Sequence, residues 1–257
     1  MRFYKYHGTG NDFILLDNLT SQQQIIPDQN SIANLCHRRY GIGADGLMIL
    51  NPHNDFDFEM IYYNSDGALS SMCGNGGRCI SQLYFDLGLG TNQCSFLAID
   101  GPHQAVKEGE LIKLKMSDVM STTVNMLGDY ILNTGSPHYI NFVNDAVVLN
   151  TIYQYGRSIR YNEIYSSEGI NVNQVFDEKP HSIKMATYER GVENETYSCG
   201  TGVVAAAIAT AIKHNVSSPI FVDTKGGQLQ VQFDRNENSF NNIWLIRPAV
   251  RVFEGKL

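Results

Sequence analysis

Two cysteines stand in the same local sequence and are the residues of this chain best suited to chemistry. Residues 73–76 read Cys-Gly-Asn-Gly and residues 199–202 read Cys-Gly-Thr-Gly. Apolar residues at helical spacing follow in both places, so each cysteine is predicted at a helix N-terminus. The unpaired N–H groups and positive dipole of such an end lower the pKa of a thiol and bind a carboxylate or phosphate. The pattern predicts two thiols that accept or donate a proton beside a bound anion.

The sequence that precedes each cysteine is matched as well. Tyr62 and Tyr188 each lie eleven residues before their cysteine, and Asn64 and Arg190 each lie nine residues before it. The two cysteines are 126 residues apart (199 − 73), close to half of the 257-residue chain. We interpret this spacing as an internal duplication, which predicts two similar halves with one cysteine at one helix N-terminus in each.

Paired thiols of this kind are suited to inverting a stereocentre. If the halves are related by a pseudo-two-fold axis, the thiols face each other across one cleft. A carbon held between them would lose a proton to one sulfur and gain a proton from the other on its opposite face. One sulfur must be ionised and the other protonated, because two adjacent thiolates repel each other. The helix ends would hold the substrate α-carboxylate, and no lysine stands in a recognisable pyridoxal-phosphate context, so no cofactor is expected.

The composition is that of a globular protein with ample core, since 43% of the residues are hydrophobic and 18% are charged. A formal net charge of −7 argues against a nucleic-acid partner. Residues 1–7 do not resemble a signal peptide, and no apolar run approaches the length of a membrane span. We therefore expect a cytoplasmic protein that binds a small-molecule substrate and neither nucleic acid nor membrane.

The remaining cysteines and the histidines form no pattern of a disulfide framework or metal site. Five cysteines, an odd and scattered set, do not indicate structural disulfides in such a protein. Cys36, Cys79 and Cys94 are interpreted as structural thiols. The seven histidines are isolated from one another in sequence, so no metal site is expected.

The rest of the chain reads as short strands with a few helices. The polar turn at residues 7–12 is explained either as a tight hairpin or as a binding loop. Residues 31–40 are predicted as a helix, and residues 94–116 as an antiparallel meander. Residues 41–46 match Gly-x-Gly-x-x-Gly, but they follow a helix and precede a strand, the reverse of a dinucleotide site. The predicted domains are residues 1–118 with 248–257, and residues 119–247.

Taken together, these motifs resemble the diaminopimelate epimerase family over essentially the whole chain. The segments that carry the resemblance are Lys5–Phe13, Gly41–Gly46, Asn64–Gly67, Met72–Cys79, Gly135–His138, Gly169–Val172, Tyr188–Gly191 and Ser198–Gly202. The resemblance implies an α/β fold of the α+β type, with two similar pseudo-two-fold domains, each an antiparallel sheet wrapped round a central helix. It also implies an active site in the cleft between the domains, a cytoplasmic homodimer, and no cofactor.

The activity implied by this resemblance is the interconversion of LL-2,6-diaminopimelate and meso-diaminopimelate, in the pathway to lysine and peptidoglycan precursors. Cys73 and Cys199 match the two acid/base thiols. The positions that match binders of the α-carboxylate are Gly74, Asn75, Gly200 and Thr201. The positions that match binders of the amino acid, chiefly at its distal end, are Asn11, Asn64, Asn171, Glu189 and Arg190. His138 and Glu189 match polar groups beside the thiols.

Two positions depart from some members of the family. Gly46 replaces a side chain that can contact substrate, and Ser136 stands where an asparagine often precedes Pro-His. Both changes imply fewer amide donors at the distal end of the substrate.

Three other functions would each explain part of the pattern. A proline or hydroxyproline racemase of the same fold would prefer histidine at Asn75 and would leave Arg190 without a purpose. A phenazine-type isomerase lacks the first cysteine. A non-catalytic thiol sensor would use the cysteines but exchange no α-proton.

Overall fold

The computed structural model describes residues 2–21, 27–237 and 239–256, and the chain folds into two compact units. The first unit comprises Met1–Leu114 with Arg247–Leu257, and the second comprises Lys115–Ile246. Both are rich in strands and contain few helices, so the predicted α/β class is confirmed.

The first unit is a set of strands connected by two helices. Its elements are β1 (Arg2–Gly8), β2 (Asn11–Asp17), α1 (Gln29–Cys36), β3 (Gly46–Asn51), β4 (Phe58–Asn64), α2 (Gly74–Asp86), β5 (Gln93–Ala98), β6 (Gly101–Glu108) and β7 (Leu111–Lys115). β1 and β2 form an antiparallel hairpin, β2 runs parallel to β3, and β3 is antiparallel to β4. β4 runs parallel to β5, and β5, β6 and β7 form the predicted antiparallel meander. β17 (Val250–Lys256), near the C-terminus, pairs with β1.

The second unit repeats this order of elements. They are β8 (Thr122–Val124), β9 (Tyr130–Asn133), β10 (Pro137–Val143), a 3₁₀ turn (Ala146–Thr151), α3 (Ile152–Arg160), β11 (Asn171–Lys179), β12 (Ser182–Glu189), β13 (Asn194–Thr196), α4 (Gly200–His214), β14 (Ile220–Thr224), β15 (Gly227–Asn236) and β16 (Ser239–Pro248). β10 runs parallel to β11, β11 is antiparallel to β12, and β12 runs parallel to β14. β14, β15 and β16 are antiparallel.

The repeated topology supports the interpretation of an internal duplication, and it corrects one detail of the prediction. The sheets are mixed rather than purely antiparallel, because each unit contains two parallel strand pairs. In each of these parallel pairs a helix connects the two strands, so that the second strand begins at the same end of the sheet as the first. The four crossover helices are α1 and α2 in the first unit and α3 and α4 in the second.

Helices α2 and α4 are the buried centres of their units. All residues of α2 from Gly74 to Phe85 are buried, and α4 is buried from Gly202 to Ala211. A helix that is apolar on all sides, such as the Val-, Ala- and Ile-rich α4, is stable only inside a core. α4 ends at His214, and Asn215 follows as its C-terminal cap in a left-handed conformation (φ 50°).

Helix α1 is shorter than predicted. It begins after Asp28, whose carboxylate accepts from the backbone N–H of Ser31, and it ends at Cys36. His37 is extended, and its Nδ1 accepts from the backbone N–H groups of Arg39 (3.1 Å) and Tyr40 (3.2 Å). This side-chain turn competes with the helix for residues 37–40. None of the helices in the described ranges is long and apolar enough to cross a membrane.

Candidate active site

Cys73 is the N-terminal cap of α2, as the sequence predicts. Its backbone is extended (φ −115°, ψ 124°), and its carbonyl accepts from Gly77 N at 2.7 Å to close the first helical turn. The N–H groups at the start of a helix point along its axis at the positive end of the helix dipole, so the start of α2 is suited to binding an anion. Cys73 is partly exposed, whereas Gly74 and Asn75 are buried.

Asn11 presents an oxygen to this helix end. Its Nδ2 donates to Asp45 Oδ2 at 2.7 Å, and because a carboxylate can only accept, this contact fixes the orientation of the amide. Asn11 Oδ1 therefore lies 3.5 Å from Cys73 Sγ and 3.4 Å from Asn75 Nδ2. The β1–β2 turn places it there, so the segment predicted as either a hairpin or a binding loop is a hairpin whose Asn11 lies beside Cys73. A side chain at Gly8 would prevent this approach, since its Cβ would lie 2.8 Å from Asn75 O.

Arg78 lies fully buried one turn behind Cys73, and it was not among the residues predicted from the sequence. Its Nη1 donates to Gly74 O at 3.2 Å, and its Nη2 donates to Thr9 Oγ1 and Asn75 Oδ1, both at 2.9 Å. Burial lowers the pKa of Arg78 to about 10. The signal that would have found it is a basic residue at position 78, the one Lys or Arg in the sequence of α2.

Asn64 and Gly46 lie opposite each other on β4 and β3. Asn64 is exposed, and its backbone pairs with the turn that follows, through Ala68 O and Gly67 N. A Cβ at Gly46 would lie 2.5 Å from Tyr63 O and 2.6 Å from Tyr62 Cε2. This backbone therefore leaves no room for a side chain at position 46.

Cys199 is the N-terminal cap of α4 and repeats the arrangement at Cys73. Its backbone is extended (φ −107°, ψ 112°), and its carbonyl accepts from Val203 N at 2.9 Å. Cys199 is buried, and its Sγ lies 3.4 Å from Thr201 Oγ1. Each unit thus places one sulfur atom at the positive end of its central helix, where a thiolate is stabilised.

His138 reaches the same helix end from β10. Its Nε2 lies 2.9 Å from Thr201 Oγ1, and its Nδ1 lies 3.1 Å from Asn173 Nδ2. Burial, with a smaller contribution from the charge of Arg190, lowers the pKa of His138 to about 3, so the ring is neutral near pH 7. Gly202 permits the packing, because a Cβ there would lie 2.7 Å from Asn173 Oδ1. Neither Asn173 nor Gly202 was predicted from the sequence as a site residue.

Asn171, Arg190 and Ser136 form a second cluster in this unit. Asn171 Oδ1 accepts from the backbone N–H of Arg190 at 2.9 Å, and its Nδ2 donates to Ser136 Oγ at 2.8 Å and to Pro137 O at 3.1 Å. Arg190 donates from Nη1 to Glu168 O at 3.0 Å and from Nη2 to Ser136 Oγ at 3.4 Å. Ser136 therefore contacts two of the side chains predicted to bind the distal end of the substrate, Asn171 and Arg190.

Glu193 lies three residues after Arg190 but does not form a salt bridge with it. Glu193 pairs with Arg160 at 3.3 Å and accepts from Tyr188 at 3.2 Å. In the part of the chain that the structure describes, Arg190 has no carboxylate within ion-pair distance, and the residue is exposed. Its guanidinium is therefore available to a carboxylate of a ligand.

Glu189 ends β12 immediately before Arg190 and is half-buried. Burial raises the pKa of its carboxyl, and the nearby Thr196 partly offsets that rise. A carboxyl with a raised pKa exchanges protons more readily near neutral pH. Among the predicted residues, the structure brings Asn11, Cys73 and Asn75 together in the first unit and His138, Cys199 and Thr201 together in the second.

Comparison with known proteins agrees with this geometry. A family model described as diaminopimelate epimerase matches residues 3–128 and 130–245. The diaminopimelate epimerase of Flavobacterium psychrophilum is 46% identical, over 99% of this chain and 99% of the relative, and that of Aquifex aeolicus is 34% identical, over 100% and 98%. A solved structure of a probable proline racemase from Agrobacterium radiobacter matches with a TM-score of 0.68 at 12% identity, over 100% of this chain and 92% of that one.

At such low identity the last likeness concerns the fold alone, whereas the family model and the two relatives extend along nearly the full length of the chain. This chain belongs to the diaminopimelate epimerase family.

Proposed function

We propose that this protein interconverts LL-2,6-diaminopimelate and meso-diaminopimelate by moving a proton at one α-carbon between two thiols. The observation that carries the proposal is the repeated site: two units of the same topology, each with a cysteine as the N-terminal cap of its buried helix. Membership of the family supplies the substrate.

The reaction needs one thiolate and one thiol at the start. The thiolate removes the α-proton, and the electron pair left on carbon spreads into the α-carboxylate. The thiol then gives its proton to the opposite face of the carbon. The mechanism requires both sulfur atoms to reach that carbon, Cys73 on one face and Cys199 on the other. Each turnover exchanges the protonation states of the two sulfurs, so the reverse reaction uses the same groups.

The helix ends supply the electrostatic part of the catalysis. Backbone N–H groups at the start of α2 (Gly74 and Asn75) and of α4 (Gly200 and Thr201) bind the α-carboxylate. Such donors stabilise the charge that develops as the Cα–H bond breaks, and one well-placed donor contributes about 2.7–4 kcal/mol to the rate in other enzymes. Because the donors are backbone groups, they need no rearrangement during the reaction.

The distal amino and carboxylate groups of diaminopimelate are assigned to the polar side chains at the strand ends. Asn11 and Asn64 in the first unit and Asn171, Glu189 and Arg190 in the second make up this set. Arg190 suits the distal carboxylate, because a guanidinium binds a carboxylate through two parallel hydrogen bonds. Glu189 suits the distal ammonium when it is ionised.

We further propose a homodimer that works in the cytoplasm. The family resemblance supports the oligomeric state, and the need for two reduced thiols supports the compartment, because cytosolic thiols are kept reduced. Light scattering after size-exclusion chromatography measures the mass: a dimer is expected, and a monomer at micromolar concentration would contradict the proposal.

The decisive experiment is α-proton exchange in deuterated water. Purified protein is incubated with LL- or meso-diaminopimelate, without added pyridoxal phosphate, and both the deuterium incorporation and the isomer ratio are followed. We expect each isomer to gain α-deuterium and to convert into the other. Proline and glutamate serve as control substrates. Faster exchange of proline than of diaminopimelate would favour a proline racemase, and exchange of none of them would favour a thiol sensor.

Matched variants separate the two thiols from the structural cysteines. Cys73→Ala and Cys199→Ala should each abolish interconversion, whereas Cys94→Ala, a buried thiol on β5, should retain it. Loss of activity in Cys94→Ala alone would show that the assignment of the acid/base thiols is wrong.

A further inference from the structure

The two thiols face atoms of different hydrogen-bonding character. Cys73 Sγ faces the amide oxygen of Asn11 at 3.5 Å, and Cys199 Sγ faces the hydroxyl oxygen of Thr201 at 3.4 Å. An amide oxygen only accepts hydrogen bonds, whereas a hydroxyl can also donate one. The two contacts therefore favour opposite protonation states of the two sulfur atoms.

At Cys73 the contact favours the thiol. Asp45 accepts from Asn11 Nδ2 at 2.7 Å, which holds Asn11 Oδ1 toward the sulfur. A second donor, Asn75 Nδ2, also points at this oxygen from 3.4 Å. The S–H of Cys73 can donate to Asn11 Oδ1, but a thiolate there would meet the lone pairs of the oxygen.

At Cys199 a chain of hydrogen bonds begins at Asn173, which is fully buried. Asn173 Nδ2 donates to the carbonyl of Tyr139 at 3.2 Å, and its Oδ1 accepts from Thr187 Oγ1 at 2.9 Å. A carbonyl cannot donate, so the orientation of the Asn173 amide is fixed. Its other N–H therefore donates to His138 Nδ1 at 3.1 Å.

This contact fixes the tautomer of His138. The ring is neutral, because burial lowers the pKa of His138 to about 3. With Nδ1 acting as an acceptor, the single ring proton lies on Nε2, which donates to Thr201 Oγ1 at 2.9 Å. Thr201 therefore keeps its own hydroxyl proton, and Cys199 Sγ lies within reach of it. A hydrogen bond to a thiolate is charge-assisted and stronger than one to a neutral thiol.

We propose that, before substrate binds, Cys199 is the thiolate and Cys73 is the thiol, and that Asn173 is the positioning residue that sets this polarity through His138 and Thr201. The catalytic meaning of the assignment rests on the proposed function: Cys199 would remove the first α-proton and Cys73 would supply the second. The protonation states themselves can be measured without turnover.

Charged and titratable groups lie around both sulfurs. Those near Cys73 are Arg78, Cys79, Asp45 and, beyond Asn11, Asp12 with its partners Lys5 and Arg38. At the Cys199 cluster they include His138 and Arg190, whose charge acts on the His138 ring. Arg78 opposes the proposal, because its charge favours a thiolate at Cys73. We weigh the direct contacts more heavily, because both Nη atoms of Arg78 already donate to Gly74 O, Thr9 Oγ1 and Asn75 Oδ1.

The test is the rate of alkylation of each thiol as a function of pH in the substrate-free wild-type protein. Iodoacetamide is applied briefly at each pH, and the peptides that contain Cys73 and Cys199 are quantified by mass spectrometry. Only the thiolate reacts, so the midpoint for each peptide reports its ionisation, whatever its accessibility. We expect the Cys199 midpoint to lie about one pH unit or more below that of Cys73. Equal midpoints, or a lower midpoint for Cys73, would overturn the proposal.

Asn173→Asp tests the positioning role. A carboxylate at position 173 can only accept a hydrogen bond, so it favours the tautomer of His138 with the proton on Nδ1. Nε2 then becomes the acceptor and draws the Thr201 proton away from Cys199. The Cys199 midpoint should rise by about one pH unit, while that of Cys73 should stay where it is. ¹⁵N spectra of the imidazole should show the ring proton on Nε2 in wild type and on Nδ1 in the variant. A wild-type ring protonated on Nδ1, or an unmoved Cys199 midpoint, would refute the role of Asn173.

A second pair of variants keeps the test available if Asn173→Asp does not fold. Thr201→Val removes the hydroxyl and should raise the Cys199 midpoint, and Thr201→Ser should restore it. Thr210→Val is the matched control on the same helix, because Thr210 Oγ1 donates to the backbone of Ala206 at 2.8 Å. The same shift in Thr210→Val would show that helix packing sets the midpoint. Failure of the proposed function would appear separately, as a wild-type protein that exchanges no α-proton.

Discussion

Arg78 Nη2 lies 2.9 Å from Asn75 Oδ1, three residues earlier on the same helix, and both side chains are buried. The same nitrogen reaches Thr9 Oγ1 in the β1–β2 turn, and Nη1 reaches Gly74 O. One guanidinium therefore ties the helix end that carries Cys73 to the hairpin that carries Asn11. The fork shape of arginine matters here, because a single ammonium cannot reach three acceptors in these positions.

We predict that Arg78→Lys destabilises the protein and slows the reaction. Acceptors left without donors in the core cost about 1–3 kcal/mol each, so the loss in unfolding free energy should be on the order of 2–4 kcal/mol. Urea unfolding measures it, and kcat/KM for diaminopimelate should fall as Asn75 loses its anchor. Arg39→Lys, an exposed arginine, is the control and should unfold like wild type. Equal losses of unfolding free energy in Arg78→Lys and Arg39→Lys would show that Arg78 has no special role.

Substrate selection should depend on the fork of Arg190. Arg190→Lys keeps the charge but binds a carboxylate at one point only, so kcat/KM for diaminopimelate should fall by an amount that corresponds to about 2–4 kcal/mol. Slow exchange of an amino acid without the distal carboxylate should barely change. Folding should be little affected, because Arg190 is exposed.

Arg157→Lys, another exposed arginine of the same unit, is the control for Arg190→Lys. Equal losses with both substrates in Arg190→Lys, or a large fall in its melting temperature, would assign Arg190 a structural role.

Position 46 should accept only glycine. In Gly46→Ala the added Cβ meets the backbone oxygen of Tyr63 at 2.5 Å, and the backbone cannot move aside as a flexible side chain can. Overpacking of this kind typically costs about 1–3 kcal/mol of stability, which thermal or urea unfolding would detect. An alanine variant as stable as wild type would show that β3 shifts freely, and the larger family side chain would then be worth introducing.

Acidification should destabilise the protein through His138. Its pKa in the folded protein is lowered from the ordinary 6.5 to about 3, so above pH 6.5 the ring is neutral in both states and its contribution is fully present. As the pH falls from 6.5 toward 3, His138 binds a proton in the unfolded chain but stays neutral in the folded protein. Stability should fall by about 1.4 kcal/mol per pH unit from this group.

The measurement for His138 is urea unfolding at pH 7, 6 and 5 in wild type and in His138→Gln. The pH slope should be smaller in the variant by about one proton. His181→Gln, a change at an exposed histidine, should leave the slope as in wild type. An identical slope in His138→Gln and wild type would show that His138 takes up its proton in the folded state.

The sequence by itself determined the features that depend on neighbouring residues. The Cys-Gly-x-Gly motifs set both cysteines at helix N-termini, because glycine and a following apolar run specify a helix start within a few positions. The turn predicted at residues 7–12 contains a two-residue hairpin loop, in which Thr9 and Gly10 adopt positive φ (58° and 81°). The matched spacing also exposed the duplication that the repeated strand order supports.

Only the tertiary structure decided the contacts between distant residues. Parallel pairing of β4 with β5 depends on how α2 packs back on the sheet, which no local pattern records. Asn173 and His138 are 35 residues apart, and His138 and Thr201 are 63 apart. Arg78 reaches Thr9 across 69 residues. A buried polar side chain needs a hydrogen-bond partner, and a partner that is distant in sequence comes near only when the chain has folded. The sequence therefore predicts which thiols react, and the folded protein shows which side chains lie beside them.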